Sequence, residues 1–184
     1  MSEEIVLMKK ALRKKIKALK SDLNDNERKI KSEAVMKKLE CSSRFKNAKT
    51  VFIFWSMHDE IDARDLILRW ADKKTFILPA INGDELHLKK FTGAHQLVSG
   101  DLYSIPEPDG EPFDDYKSIQ LAIIPGVAFD SHNNRMGRGK GYYDKILSKL
   151  KGRADLIGIC YDFQMVEEVP VEPHDVKMDG VIYA

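Results

Sequence analysis

Cysteine is nearly absent: Cys41 and Cys160 are the only two among 184 residues. Two distant thiols exclude a disulfide framework and a zinc ribbon, and the simplest home for them is a reducing cytoplasm. There is no apolar run near the ~18–20 residues that a membrane helix needs, so no membrane partner is expected. The opening MSEEIVLMKKALRKK lacks an apolar core followed by a small-residue cleavage site, and so does not read as a secretory signal. Charge of one sign is missing as well. The 30 Lys+Arg and 29 Asp+Glu leave a net +1, which argues against a general nucleic-acid binder. Internal repeats, low-complexity tracts and long linkers are absent too. What remains is 43% apolar and 32% charged, the composition of one globular domain spanning 1–184. A monomer is expected.

The near-zero sum hides a split. Residues 1–50 carry 15 Lys/Arg and 7 Asp/Glu, a net +8, whereas the rest carry 15 and 22, a net −7. The basic part points to an anionic partner, although two solvated helices with outward lysines would give the same count. Leu12, Ile16, Leu19 and Leu23 recur at helical spacing along residues 5–20 and just beyond. Asn24 and Glu27 have capping-box spacing and open a second helix through Ile30, Ala34 and Leu39. These basic helices, within 1–40, are expected to pack on the rest of the domain.

Short β-rich runs follow at residues 51–55, 75–78, 85–91, 121–124, 156–160 and 181–183. Asp62 can cap a helix carrying Leu66, Ile67 and Trp70, and another helix is expected from Tyr142 to Leu150. Residues 82–84 read as a turn, and 100–118 as an irregular segment with three prolines. Strands alternating with helices imply an α/β fold with a mostly parallel sheet covered on both faces. In such sheets ligands sit beyond the carboxyl ends of the strands. Residues 56–60 and 127–144 leave strands there with polar side chains.

The densest motif runs from Asn134 through Arg135, Met136, Gly137, Arg138, Gly139, Lys140, Gly141, Tyr142 and Tyr143 to Asp144. Alternating glycines let backbone N–H groups turn inward, three cations add fixed charge, and a following helix adds its positive end. Together these describe a polyphosphate cradle. Asp144, one turn into the helix, suits a magnesium ion shared with phosphates, and the two tyrosines could flank a flat ring. The loop is neither a Walker A nor a dinucleotide fingerprint. A plain surface turn and an RNA-binding loop are the competing readings, the second weakened by the acidic surroundings.

Taken with residues 9–13 (KKALR), 56–60 (SMHDE), 105–108 (IPEP), 127–130 (VAFD), Val169-Pro170 and His174-Asp175, this loop resembles 5-formyltetrahydrofolate cyclo-ligase nearly end to end. The resemblance implies a three-layer α/β/α sandwich. It also implies a ligase that converts 5-formyltetrahydrofolate and MgATP to 5,10-methenyltetrahydrofolate, ADP and phosphate. By the same resemblance Lys9, Lys10 and Arg13 contact ATP from the first helix, and Arg135, Met136, Gly137, Arg138, Gly139, Lys140, Gly141, Tyr142 and Tyr143 wrap it. Trp55, Glu60 and Tyr103 contact the folate together with residues 138–142. Arg138 and Lys140 are the catalytic cations. Asp144 and Asp175 hold magnesium, with Asp179 as a substitute for the second. His58 and His174 sit near these motifs, where a solvent or capping role is equally open.

The chain departs from the family at three places. Asn133 stands where glycine is usual, and asparagine is the next residue best able to turn left-handed. Met136 replaces a leucine of similar volume, and Trp55 replaces smaller apolar residues found in some relatives. Two other functions stay open at this point. One is a nucleotide or RNA-binding module using the basic N-terminus and the loop; the other is a paralogous ATP-using enzyme with a different small substrate.

Overall fold

The computed structural model describes residues 3–83, 85–100, 106–173 and 175–184, so Asp84, Tyr103 and His174 lie outside the described residues. Two helices open the chain, α1 (Glu3–Asp22) and α2 (Asp25–Cys41). The capping box between them forms in full: Glu27 N donates to Asn24 Oδ1 at 3.0 Å, and Asn24 N to Glu27 Oε2 at 2.9 Å. A short α3 (Ser43–Asn47) follows, capped by the Ser42 hydroxyl, which accepts from Phe45 N. Nothing in the sequence marks it, because little more than one helical turn has no readable period. Later come α4 (Arg64–Trp70) and α5 (Tyr142–Leu150).

The central sheet has six strands: β1 (Thr50–Phe52), β2 (Thr75–Asn82), β3 (Glu85–Lys90), β6 (Leu121–Pro125), β9 (Asp155–Cys160) and β11 (Gly180–Tyr183). Their spatial order is β11-β9-β6-β1-β2-β3, parallel throughout except for the antiparallel β2–β3 hairpin. The chain steps from β1 outward to β2 on one side, and later from β6 outward to β9 and β11 on the other. The direction therefore reverses between β1 and β6. That is the crevice where open α/β sheets bind ligands.

Period-two alternation sends side chains to two cores. Val51, Ile53, Phe76, Leu78, Ile123 and Ile157 pack with Val35, Leu39, Phe45, Leu66 and Ile67 of the α2, α3 and α4 layer. Phe52, Ile77, Ala122, Ile124 and Leu156 pack with Ile146, Leu147 and Leu150 of α5. The fold is thus α/β/α, as expected. A third cluster sets α1 apart. Its Ile16 packs on Ala128, Met136 and Val169, with Leu12 and Leu19 alongside. The first two of these belong to a small sheet of β7 (Ala128–Asp130), β8 (Arg135–Met136) and β10 (Met165–Val166), in the order β10-β7-β8. Its strands are too short to show periodicity.

Several sequence expectations are corrected. On α2 the buried face is Ser32, Val35, Met36 and Leu39; of the expected residues Leu39 is buried, Ala34 is half-buried and Ile30 is 57% exposed, so the stripe holds at Leu39 and fails at Ile30. The run at 51–55 is a strand only to Phe52, with one further backbone hydrogen bond from Ile53 N to the Ile77 carbonyl at 2.9 Å. Asp62 does not cap α4. The helix starts after Ala63, and Asp62 Oδ1 accepts Arg64 N at 3.0 Å and Arg64 Nε at 2.8 Å. The segment 100–118 contains a strand, β5 (Pro106–Pro108), which pairs antiparallel with β4 (Leu97–Ser99).

Candidate active site

One pocket of about 940 Å³, mouth included, opens at the β1–β6 crevice. Phe54 and Trp55 enter it from the end of β1, Pro125 and Gly126 from the end of β6, and Arg135 through Asp144, Met136 excepted, from the glycine-rich loop and the start of α5. Pro79, Ile81 and Leu86 of the β2–β3 hairpin add an apolar wall. Trp55 is half-buried and stacks on Phe91, with ring centroids 5.8 Å apart and planes at 27°. The Tyr142 hydroxyl donates to the Gly83 carbonyl at 3.3 Å, tying the loop to the hairpin. An apolar slot rimmed by a few placed polar groups is the usual form of a small-molecule site.

The loop takes its shape from its glycines and from one buried arginine. Gly139 (φ 107°) and Gly141 (φ 70°) lie in the left-handed region, where a β-carbon is strained. Gly141 is also the N-cap of α5, so the helix's positive end faces the pocket. A β-carbon on Gly137 would come within 3.1 Å of Arg135 Nη2. Arg135 itself is buried. Its Nε donates to the Pro125 carbonyl at 2.8 Å, its Nη1 lies 3.3 Å from Asp144 Oδ1, and its guanidinium carbon sits 5.2 Å from the Tyr143 ring centre. Burial lowers the Arg135 pKa from its ordinary value, with Asp144 opposing the change. Burial also raises the Tyr143 phenol, which stays neutral.

A second charged network crosses the rim. Arg138 Nη2 donates to Asp59 Oδ1 at 2.6 Å and to Glu60 Oε1 at 3.1 Å. Glu60 Oε2 accepts Met57 N at 3.0 Å, and its carbonyl accepts the Tyr161 hydroxyl at 3.0 Å. Asp59 Oδ2 also accepts Lys20 Nζ at 3.3 Å. Burial opposes charge on Arg138, but Glu60 and Asp59 outweigh it and hold its pKa above the ordinary value. Burial likewise opposes the Asp59 carboxylate, and Arg138 with Lys20 outweighs it, so its pKa falls. Lys140 is exposed and makes no hydrogen bond or ion pair among the described residues.

The protein-family model described as the 5-formyltetrahydrofolate cyclo-ligase family matches residues 6–184. This chain belongs to that family. Among curated relatives, the mouse 5-formyltetrahydrofolate cyclo-ligase is 28% identical over 95% of this chain and 93% of its own. The NMR structure of Aquifex aeolicus 5,10-methenyltetrahydrofolate synthetase superposes with a TM-score of 0.84 at 33% identity, covering 96% of this chain and 89% of that one. The Mycoplasma pneumoniae 5,10-methenyltetrahydrofolate synthetase structure gives 0.75 at 25% identity over 95% and 97%.

In this cyclo-ligase family member the residues expected at the site fall into three groups. Trp55, Glu60, Arg135, Gly137, Arg138, Gly139, Lys140, Gly141, Tyr142, Tyr143 and Asp144 line one pocket. Arg13 reaches the same loop from α1, its Nε donating to the Gly137 carbonyl at 3.1 Å. Others are not part of that lining. The Met136 side chain is 2% exposed and packs on Ile16, and Lys10 is exposed on α1. Lys9 Nζ lies 2.8 Å from Glu172 and 3.0 Å from Asp175. Burial disfavours the Lys9 charge, but these two acids more than compensate and raise its pKa.

The carboxylates named for magnesium have different partners: Asp144 faces the pocket beside Arg135, whereas Asp175 is engaged by Lys9. Among the described residues no three His, Cys, Asp or Glu side chains gather into a metal cluster. One pocket-facing carboxylate nevertheless fits magnesium, which binds through one or two carboxylates plus substrate phosphates. Asp179 instead accepts Leu156 N at 2.8 Å.

Sequence reasoning missed Glu107, Pro79, Ile81 and Leu86. Glu107 is buried in the pocket wall and accepts Ile81 N at 3.0 Å. Its IPEP context was visible, but nothing local places that segment beside β2.

Proposed function

We propose that the chain carries out its family's reaction. It uses ATP to convert 5-formyltetrahydrofolate to 5,10-methenyltetrahydrofolate, with release of ADP and phosphate. One observation carries this: at the β1–β6 crevice an apolar aromatic slot and a cationic glycine loop share one pocket. A flat reduced ring and a polyphosphate are the two ligand chemistries that such a pocket accommodates together.

The folate ring lies against Trp55, and Glu60 accepts hydrogen bonds from its N–H groups. Tyr103 would pack nearby. The loop from Gly137 to Gly141 turns its amides toward the phosphates of ATP, with the α5 N-terminus behind them. Arg135 supports the loop from below, and Arg13 braces it from α1. Lys9 and Lys10 supply positive charge at the edge, Lys9 by exchanging Glu172 and Asp175 for phosphate. Asp144 is the carboxylate that would hold magnesium, and Asp175 could join it once Lys9 releases it. Bound there, the ion lowers the mutual repulsion of the phosphates.

The formyl oxygen attacks the γ-phosphorus, and the bond from phosphorus to the ADP oxygen breaks. The formyl carbon now bears a phosphate leaving group. N10 of the folate adds to that carbon, loses its proton, and inorganic phosphate departs as the methenyl bridge closes. No covalent enzyme intermediate is needed. Catalysis is positioning plus charge stabilisation, with Arg138 and Lys140 on the transferred group. The free thiols Cys41 and Cys160 suit a reducing compartment, the cytoplasm in this reading.

The deciding experiment incubates the purified chain with MgATP and 5-formyltetrahydrofolate. Methenyl absorbance and ADP should rise together, and only when both substrates are present. A folded sample that forms neither product sinks the assignment.

A further inference from the structure

Arg138 stands on a loop with glycine at both neighbouring positions, so its long side chain has many conformations to lose. Two carboxylates hold it, and they are not equivalent. Glu60 lines the pocket and is the acid that the proposed reaction assigns to the folate. Asp59 does not line the pocket, yet its contact with Arg138 is the shorter, 2.6 Å against 3.1 Å. Its other oxygen is tied to Lys20 Nζ at 3.3 Å. Lys20 sits in the last turn of α1 with its side chain 8% exposed, and Asp59 is its ion-pair partner among the described residues. Burying an ammonium there costs free energy that an apolar side chain would not. What the lysine supplies is a fixed orientation for Asp59. Burial accordingly lowers the Lys20 pKa, with Asp59 opposing.

We propose that Asp59, anchored by Lys20, is a positioning residue that keeps Arg138 aimed at the pocket while Glu60 exchanges its hold on Arg138 for the substrate. With Glu60 as the only anchor, folate binding would release the cation needed for phosphoryl transfer. Asp59 separates the two tasks. It also couples α1 to the glycine loop at a second point, the first being the contact from Arg13 to Gly137. The catalytic consequence rests on the proposed reaction; the restraint on Arg138 does not.

Two measurements on the full chain test this. In the first, NMR follows the Arg138 Nε–Hε group in substrate-free protein, assigned by its loss in Arg138→Ala. A sharp signal is expected in the wild type, broadened or lost in both Asp59→Asn and Lys20→Met. A signal unchanged in both variants overturns the proposal, whether or not the chain turns over folate. In the second, Asp59→Asn should lower kcat about 10- to 100-fold, with KM for ATP moving no more than about threefold. In an Arg138→Ala background the same substitution should cause no further loss. An equal loss in both backgrounds would mark Asp59 as merely structural and overturn the proposal. A wild type without turnover sinks the cyclo-ligase reaction instead, and the NMR comparison then decides the positioning role.

Discussion

The amide of Val169 donates to Asp130 Oδ2 at 3.0 Å across 39 positions of sequence, and so joins the C-terminal segment to the end of β7. The same fully buried carboxylate accepts His132 N, Asn134 N and Asn134 Nδ2 at 2.9, 3.0 and 2.9 Å. It therefore closes the turn that launches the glycine loop.

Burial alone would raise the Asp130 pKa, but these four hydrogen bonds outweigh it and hold the value below the ordinary 3.8. A depressed folded value means that the stabilisation is present above the unfolded pKa and is lost as pH falls through the folded one. Asp130→Asn should cost about 2–4 kcal/mol at neutral pH, because a donor would then face donors. Urea unfolding from pH 7 to pH 3 should show a constant gap to the wild type that narrows only below about pH 4. A gap that shrinks already between pH 7 and 6 would contradict this.

Asn133 has φ 62° and is the one non-glycine residue in the left-handed region among the described residues. Asn133→Gly should leave thermal stability nearly unchanged. Asn133→Val should cost about 1–2 kcal/mol, since a β-branched side chain crowds its own backbone there. Equal melting temperatures for the two variants would show that the turn does not need this conformation.

Lys140 is exposed and makes no described contact, so the fold should not notice its loss. Lys140→Ala should melt with the wild type while kcat falls about 100- to 1,000-fold. An unchanged rate removes Lys140 from the chemistry.

The two thiols should behave differently. Cys41 is exposed, whereas Cys160 is 1% exposed and burial pushes its thiol up to about 12. A thiol reagent at neutral pH should modify one cysteine in the native protein and the second only after denaturation. Immediate modification of both would contradict the packing of β9.

Elements with many residues in one pattern were legible. The capping box at Asn24 and Glu27 and the apolar runs of β6 and β9 state their structure locally, because each residue's partners lie a few positions away or its burial is complete. The pair β4–β5 and the small β7–β8–β10 sheet did not, since strands of two or three residues have no period to read. Ile30 misled for a related reason: an apolar residue on a helix does not say which face the sheet will cover.

By itself, the sequence determined the layer architecture, the polar segments that leave the strand ends, and the glycine-rich, cationic make-up of the loop from Arg135 to Asp144. Those follow from local periodicity, glycine freedom and charge. Tertiary structure alone decided which charges meet. Lys9 goes to Glu172 and Asp175, Lys20 to Asp59, and Arg138 to both Asp59 and Glu60. The lysine pairs join α1 to segments between 39 and 166 positions away, and the Arg138 pairs join the glycine loop to residues 79 and 78 positions away. Long-range ion pairing depends on where helices and loops are packed, and no spacing in the chain encodes it.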